Sequence, residues 1–303
     1  MGDKQIDINS LTYLDNYTND ISKRERLYPL FERVFGIHTS TLRDFSNKGL
    51  WNDKYIPFTF FDGDRAVANV SAFPLSMNIN GKFINCYGIQ SVMTDQDYRS
   101  KGLMKRLFQM MLDEMNSLYE GAILFTNSPE LYTPYGFKTI KQYYFKKKLK
   151  LNKFKPESSL LKLDPLIELE HLEIINKVFD KKQPLSNVFA PISYLKCLYF
   201  NFYNPWIYEK LFFIEEIETI LVFEVSDGIL KIFDVMGENM PSLEILCSYI
   251  PYDFHSIEFY FHPDMFDVVD GEVIEYQTQN KLMVRGSFDL ENQRLMMPLT
   301  AEF

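Results

Sequence analysis

The stretch "VMTDQDYRSKGLMKRLFQMM", residues 92–111, sets Arg99, Lys101, Gly102 and Lys105 where an apolar run hands over to a long amphipathic one. A plain strand-to-helix connection needs a cap and a flexible residue. It does not need three cations beside the first free backbone amides. Those N–H groups have no partner inside the helix and sit at the positive end of its dipole. Gly102 permits close approach of another group, and the cations add charge, so these residue types specify an anion site, with phosphate the best match.

The flanking elements must position that turn. Met104, Leu107, Phe108, Met111, Leu112, Met115, Leu118 and Tyr119 recur at helical spacing and predict an amphipathic helix starting just after Gly102. Before it, residues 55–94 alternate and are punctuated by Asp-Gly and Asn-Gly, which predicts three or four antiparallel strands joined by tight turns. Leu27, Leu30, Phe31 and Val34 predict one helix over 25–35. "GAILFTN" reads as a short buried strand, "SPELYTPYGF" as a short helix and turn, and "TIKQYYFKKKLKL" as an alternating strand. Lysines 138, 141, 146, 147, 148, 150, 153 and 155 read as a solvated strand edge, where Lys blocks unwanted pairing.

Around 149–156 the chain turns polar and gains a proline, which predicts two domains, 1–150 and 151–303. The second half repeats the plan: helices at 166–180 and 192–203, strands across 208–237 with a Ser-Asp-Gly turn, a helix at 241–250, and closing strands. The fold class expected is α+β, twice over. Residues 1–150 carry net charge +4 and residues 151–303 carry −13, so the halves face different partners. The total of −9 argues against a general nucleic-acid binder. Three well-separated cysteines and no Cys/His cluster predict reduced thiols and no metal site. The N-terminus has no apolar leader core and no stretch is long and apolar enough for a membrane span, so a cytoplasmic protein without membrane contact is expected.

Arg99-Ser100-Lys101-Gly102-Leu103-Met104, preceded by Val92–Thr94, resembles the Arg/Gln-x-x-Gly-x-Gly/Ala loop of the GCN5-related N-acetyltransferase (GNAT) family. "LYTPYGF" is similar to that family's Tyr-x-x-x-Gly-Phe segment, with Tyr132, Gly136 and Phe137 in register. Met104 departs from the small residue of the general pattern and resembles instead the Eis-like branch. The resemblance implies a GNAT fold, a mixed and mostly antiparallel sheet flanked by helices. A second, degenerate GNAT-like domain would follow, with an acceptor-site or structural role. There the equivalent turn, "DVMGENMPSL", lacks Arg-x-x-Gly and should not hold the cofactor. The third domain of that branch is not expected here.

The resemblance further implies acetyl-CoA as cofactor, its diphosphate held by Arg99, Ser100, Lys101, Gly102, Leu103 and Met104. Val92, Met93 and Thr94 would present main-chain groups to the acetyl arm, and Asn127 joins the cofactor contacts. Tyr132 would be the general acid for the leaving thiolate. For the base, the Phe303 carboxylate, His38 in "FGIHTSTL" and a water relay stay open. The acceptor would be a cationic small-molecule or peptide amine, and a homo-oligomer stays open as well. Competing readings are an acyl-CoA-binding sensor without turnover and nucleic-acid binding through "KQYYFKKKLK".

Overall fold

Asn80-Gly81 and Asp227-Gly228 each place two successive residues in the left-handed region, at φ +52 and +72 and at φ +53 and +70. Such pairs form the two-residue turns that match strand twist, so both hairpins lie where the sequence puts them. The computed structural model describes residues 8–149, 160–266, 268, 271–288, 290 and 292–303. They fall into two compact units, Met1–Pro74 with Asn85–Phe125 and Arg285–Ser287, and Leu75–Ile84 with Thr126–Val284 and Phe288–Phe303. Most of the expected join at 149–156 lies outside the described residues.

Strands β1 (Thr12–Asp15), β2 (Ile56–Asp62), β3 (Arg65–Ile79), β4 (Lys82–Thr94) and β5 (Gly121–Thr126) are neighbours in that order, and the first unit holds them except for the last residues of β3, the first of β4 and Thr126. β1–β2 and β2–β3 are antiparallel, while β4–β5 is parallel. The helix expected at 25–35 is α2 (Tyr28–Phe35), shorter at its start and preceded by a separate short helix, α1 (Ile21–Glu25). Pro29 lies in the first turn of α2, where its missing N–H costs nothing. His38, expected in a loop, opens a further helix, α3 (Thr39–Asn47). Tyr28, Leu30 and Phe31 from α2 and Leu42 from α3 join Phe61, Ala66 and Met93 of the sheet in one buried cluster.

Helix α4 (Leu103–Met115) buries Leu103, Leu107, Phe108, Met111, Leu112 and Met115. Each such side chain contributes about 1.5–3 kcal/mol, so this stripe fixes the helix and with it the turn at its start.

The second unit contains β6 (Lys138–Ile140), β7 (Tyr143–Lys148), β8 (Leu161–Lys162), α5 (Leu169–Lys181), β9 (Phe189–Pro191), α6 (Leu195–Asn201) and α7 (Pro205–Tyr208). Then come β10 (Leu211–Ile214), β11 (Thr219–Ser226), β12 (Ile229–Met236), α8 (Leu243–Ser248), β13 (Ser256–Phe259), β14 (Glu272–Glu275) and β15 (Lys281–Gly286). Seven strands form one sheet in the order β14-β7-β13-β12-β11-β10-β8. β12 and β13 are parallel and flank α8, the same strand-helix-strand plan as β4-α4-β5. Here, however, the Ser242 hydroxyl caps α8 by accepting from the Ile245 N–H at 3.3 Å.

The lysine-rich strand is a correction. β7 is interior, paired antiparallel to β13 on one side and β14 on the other. The acidic neighbours explain it: Lys146 lies across from both Glu258 and Glu272 and makes a 3.0 Å ion pair with Glu258.

Candidate functional site: an open helix start

β4 and β5 pair from Cys86↔Gly121 to Ile89↔Leu124, and there the register ends. β4 nevertheless continues to Thr94, and β5 to Thr126. Beyond Ile89 the main chain of β4 is therefore not claimed by β5. Ser91, two residues past the last pair, has φ +55, which few L residues adopt.

After Thr94, Asp95 caps a short 3-10 turn, Gln96–Tyr98, by accepting from the Asp97 N–H at 3.3 Å. Arg99 is extended, Ser100 has φ +60, and Gly102 has φ +75 as the N-cap of α4. Gly102 offers no side-chain cap, so the first amides of α4 stay open to a ligand. A Cβ built on Gly102 would meet nothing within 4 Å; the backbone conformation, not crowding, asks for glycine here.

Of the sequence-predicted residues, Val92, Met93, Thr94 and Arg99 to Met104 come together in the first unit. Arg99 Nε donates to the Thr94 carbonyl at 3.3 Å, tying loop to strand end. Met93 and Leu103 are each 1% exposed, so their side chains are core and only their main chains can serve a ligand. Arg99, Ser100, Gly102, Lys105 and Arg106 are exposed. Asn127 and Tyr132 belong to the second unit. Asn127 is exposed and accepts from the Ser128 hydroxyl at 3.3 Å.

Tyr132 joins two short 3-10 turns, Pro129–Leu131 and Thr133–Tyr135, and Gly136 closes the second at φ +84. Its ring is buried edge-on to Phe137, with centroids 6.3 Å apart. Burial pushes the phenol up to about 12, with the Thr126 hydroxyl pulling the other way. The group holds its proton at any ordinary pH and can only donate it.

The base candidates differ in setting. His38 is exposed on the first unit and pairs with Glu32 at 3.1 Å. Phe303, half-buried in the second unit, follows a tail segment whose Thr300 and Glu302 carbonyls both accept from Asn201 Nδ2, at 3.1 and 2.9 Å. Glu302 in that tail escaped sequence reasoning: burial raises its carboxyl to about 7, opposed by Asn280. No pattern flags it, because burial is a tertiary property.

Asp95 was also missed. It is 2% exposed and accepts from Arg33 Nε at 2.6 Å and Arg65 Nη2 at 2.8 Å, while its N–H donates to the Val67 carbonyl at 2.9 Å. Its place just before a short turn is the one local signal that could have found it. Among the described residues, no group of three or more His, Cys, Asp or Glu is placed to hold a metal, and no helix is long and apolar enough to cross a membrane.

Residues 19–140 match the family model of the acetyltransferase (GNAT) domain. Among solved structures the chain is similar to a protein of Enterococcus faecalis V583 described as a probable N-acyltransferase, at 14% identity and TM-score 0.59, covering 90% of this chain and 72% of that one. It is similar to a GCN5-related N-acetyltransferase of Kribbella flavida (14% identity, TM-score 0.54, 92% and 72% covered). It is also similar to Eis1 of Mycobacterium abscessus (11% identity, TM-score 0.57, 90% and 73% covered). At these identities the likeness is one of fold. No curated protein sequence matches the chain.

Proposed function

We propose that this chain, whose residues 19–140 are a GNAT acetyltransferase domain within a GNAT fold that extends over most of its length, transfers an acetyl group from acetyl-CoA to a primary amine of a cationic small molecule or peptide. One observation carries the reading. An uncapped helix start, with left-handed Ser100 and Gly102 and exposed cations, follows, across one short 3-10 turn, a strand whose pairing with its parallel neighbour has already ended.

These residues fit coenzyme A. Main-chain N–H groups at the start of α4, with Arg99, Lys101 and Lys105, are the donors for a diphosphate. The cofactor supplies the acetyl group as an activated thioester. The chain's own contribution is orientation and proton control. Main-chain N–H groups along Val92–Thr94 that do not pair with β3 would serve an acyl oxygen, and Tyr132, which keeps a proton on its Oη, would be the acid for the departing sulfur. The net charge of −13 on residues 151–303 would draw a cationic acceptor, and the amine would lose its proton before or during attack.

The test is amine-dependent release of coenzyme A thiol across polyamines, aminoglycosides and basic peptides, at rising ionic strength. The expected result is turnover with cationic amines and a kcat/KM that falls as salt rises. Binding of acetyl-CoA with no turnover on any amine would leave the sensor reading instead, and a kcat/KM insensitive to salt would remove the steering argument.

A further inference from the structure

By the register of β4 and β5, Gln90 and Ser91 would face Phe125 and Thr126, the last residues of β5, yet the pairing stops at Ile89. A left-handed serine costs about 1–2 kcal/mol and persists only where its surroundings over-determine it. Those surroundings lie on β3. Asn69, 0% exposed, donates from Nδ2 to the Ser91 carbonyl at 2.8 Å. The same Nδ2 donates to Ser71 Oγ at 2.8 Å, and Oδ1 accepts from Thr59 Oγ1 at 2.7 Å. Thr59 Oγ1 in turn shares a 2.6 Å hydrogen bond with the Tyr17 hydroxyl.

The chain of donors has one direction: Tyr17 to Thr59, Thr59 to Asn69, Asn69 to Ser71 and Ser91. Flipping the Asn69 amide would set its oxygen against the Ser91 carbonyl and its NH2 against the donating Thr59, so the orientation is fixed by its partners. Four residues later the Asp95 N–H donates to the Val67 carbonyl, also on β3. Val92, Met93 and Thr94 are thus strung between two anchors on the strand facing away from β5.

We propose that Asn69 is a positioning residue: by holding the Ser91 carbonyl it keeps β4 parted from β5 and aims the main-chain groups of Val92–Thr94. Its consequence for catalysis rests on the acetyltransferase reading; its consequence for the strand does not. Tyr55 supplies an internal control. Its hydroxyl lies buried beside Ser71, Ser91 and Asn69 yet makes no hydrogen bond of good geometry, so removing it leaves each hydrogen bond of the anchor in place.

Two measurements on the full chain test this. Hydrogen exchange in Asn69→Ala should speed up at Val92–Thr94 at least tenfold relative to Cys86–Ile89, and not in Tyr55→Phe. Kinetically, Asn69→Ala should lower kcat at least tenfold while the Kd for coenzyme A shifts less than threefold, because the loop at 99–104 is untouched. Asn69→Asp adds a signature that loss of stability would not give. A buried carboxyl stays protonated to higher pH, and its O–H can donate to Ser91 as the amide does. That variant should keep kcat at low pH and lose it as the carboxyl ionises, at constant affinity for coenzyme A, and it serves as the test if Asn69→Ala does not fold. Unchanged exchange at Val92–Thr94 overturns the anchor; unchanged kcat, or kcat and affinity lost together, overturns the positioning role. A wild-type chain with no amine-dependent thiol release would defeat the acetyltransferase reading, and exchange alone would then decide the anchor.

Discussion

Exchanging Asp95 for Asn, an isosteric change, should loosen the loop. The carboxylate side chain is 3% exposed and holds two guanidinium groups, Arg33 at 2.6 Å and Arg65 at 2.8 Å. Burial raises its pKa, but Arg65, the Asp97 amide and Arg33 outweigh that, and the net result lies below the ordinary carboxylate range. Asparagine preserves shape and one acceptor while placing an NH2 or a neutral oxygen against the cations. Two charge-assisted hydrogen bonds, each about 1.5–3 kcal/mol, are weakened. The guanidinium side chains are 34% and 44% exposed, so water recovers part of the loss. A net cost of about 2–3 kcal/mol remains.

For a protein of this size that lowers Tm by about 3–5 °C. Because Asp95 caps the turn leading into residues 99–104, the Kd for coenzyme A should rise roughly tenfold. The acid side gives a second readout. A depressed carboxyl adds stability above its unfolded value of about 3.9 and loses it as pH falls through the folded value. The wild type should therefore lose this stability below about pH 4, and Asp95→Asn should show a flatter acid limb. Thermal melts across pH and calorimetric titration with coenzyme A make the check. A Tm within 1 °C of wild type with unaltered affinity would refute the argument that this ion cluster organises the loop.

Tyr132→Phe should bind acetyl-CoA normally and turn over at least tenfold more slowly. With the phenol at about 12, Tyr132 should add no alkaline limb to wild-type kcat between pH 6 and 10. Full turnover in Tyr132→Phe would remove the tyrosine from the mechanism. Gly102→Ala meets open space but takes a side chain into φ +75, a strain of about 1 kcal/mol; its affinity for coenzyme A should fall about tenfold with little change in Tm, and equal affinity would contradict an anion on that helix start. Glu302 is raised by burial to about 7. A raised carboxyl favours the folded state at low pH, so that contribution is complete below about 4.3 and is lost as pH climbs through about 7, at up to ~1.4 kcal/mol per pH unit. Glu302→Gln should flatten the melting curve over that window, and an unchanged slope would count against the buried carboxyl.

Local features were legible because they depend on a few consecutive residues. Asn80-Gly81 and Asp227-Gly228 turn the chain as their types require, and the apolar stripe of α4 lies where its 3.6-residue period put it as far as Met115, where the helix ends and leaves Leu118, expected in the stripe, exposed. The loop with Arg99 and Gly102 was equally readable, since an open helix start needs only a glycine cap and neighbouring charge. Pairing was another matter. Alternation in "YYFKKK" gives the period of a strand but no neighbour, and only β13 and β14, more than a hundred residues on, make β7 an interior strand.

The same divide runs through the site. From its own residues the sequence determined where an anion could be gripped: which amides are free, which cations stand beside them, and which glycine allows approach. Tertiary structure alone decided what braces the loop and the strand before it. Arg33 and Arg65 reach Asp95 from 62 and 30 residues away, and Asn69 reaches Ser91 from 22. Hydrogen bonds across such separations follow from the packing of whole strands and helices, and no short pattern encodes a partner that the fold must first bring within 3 Å.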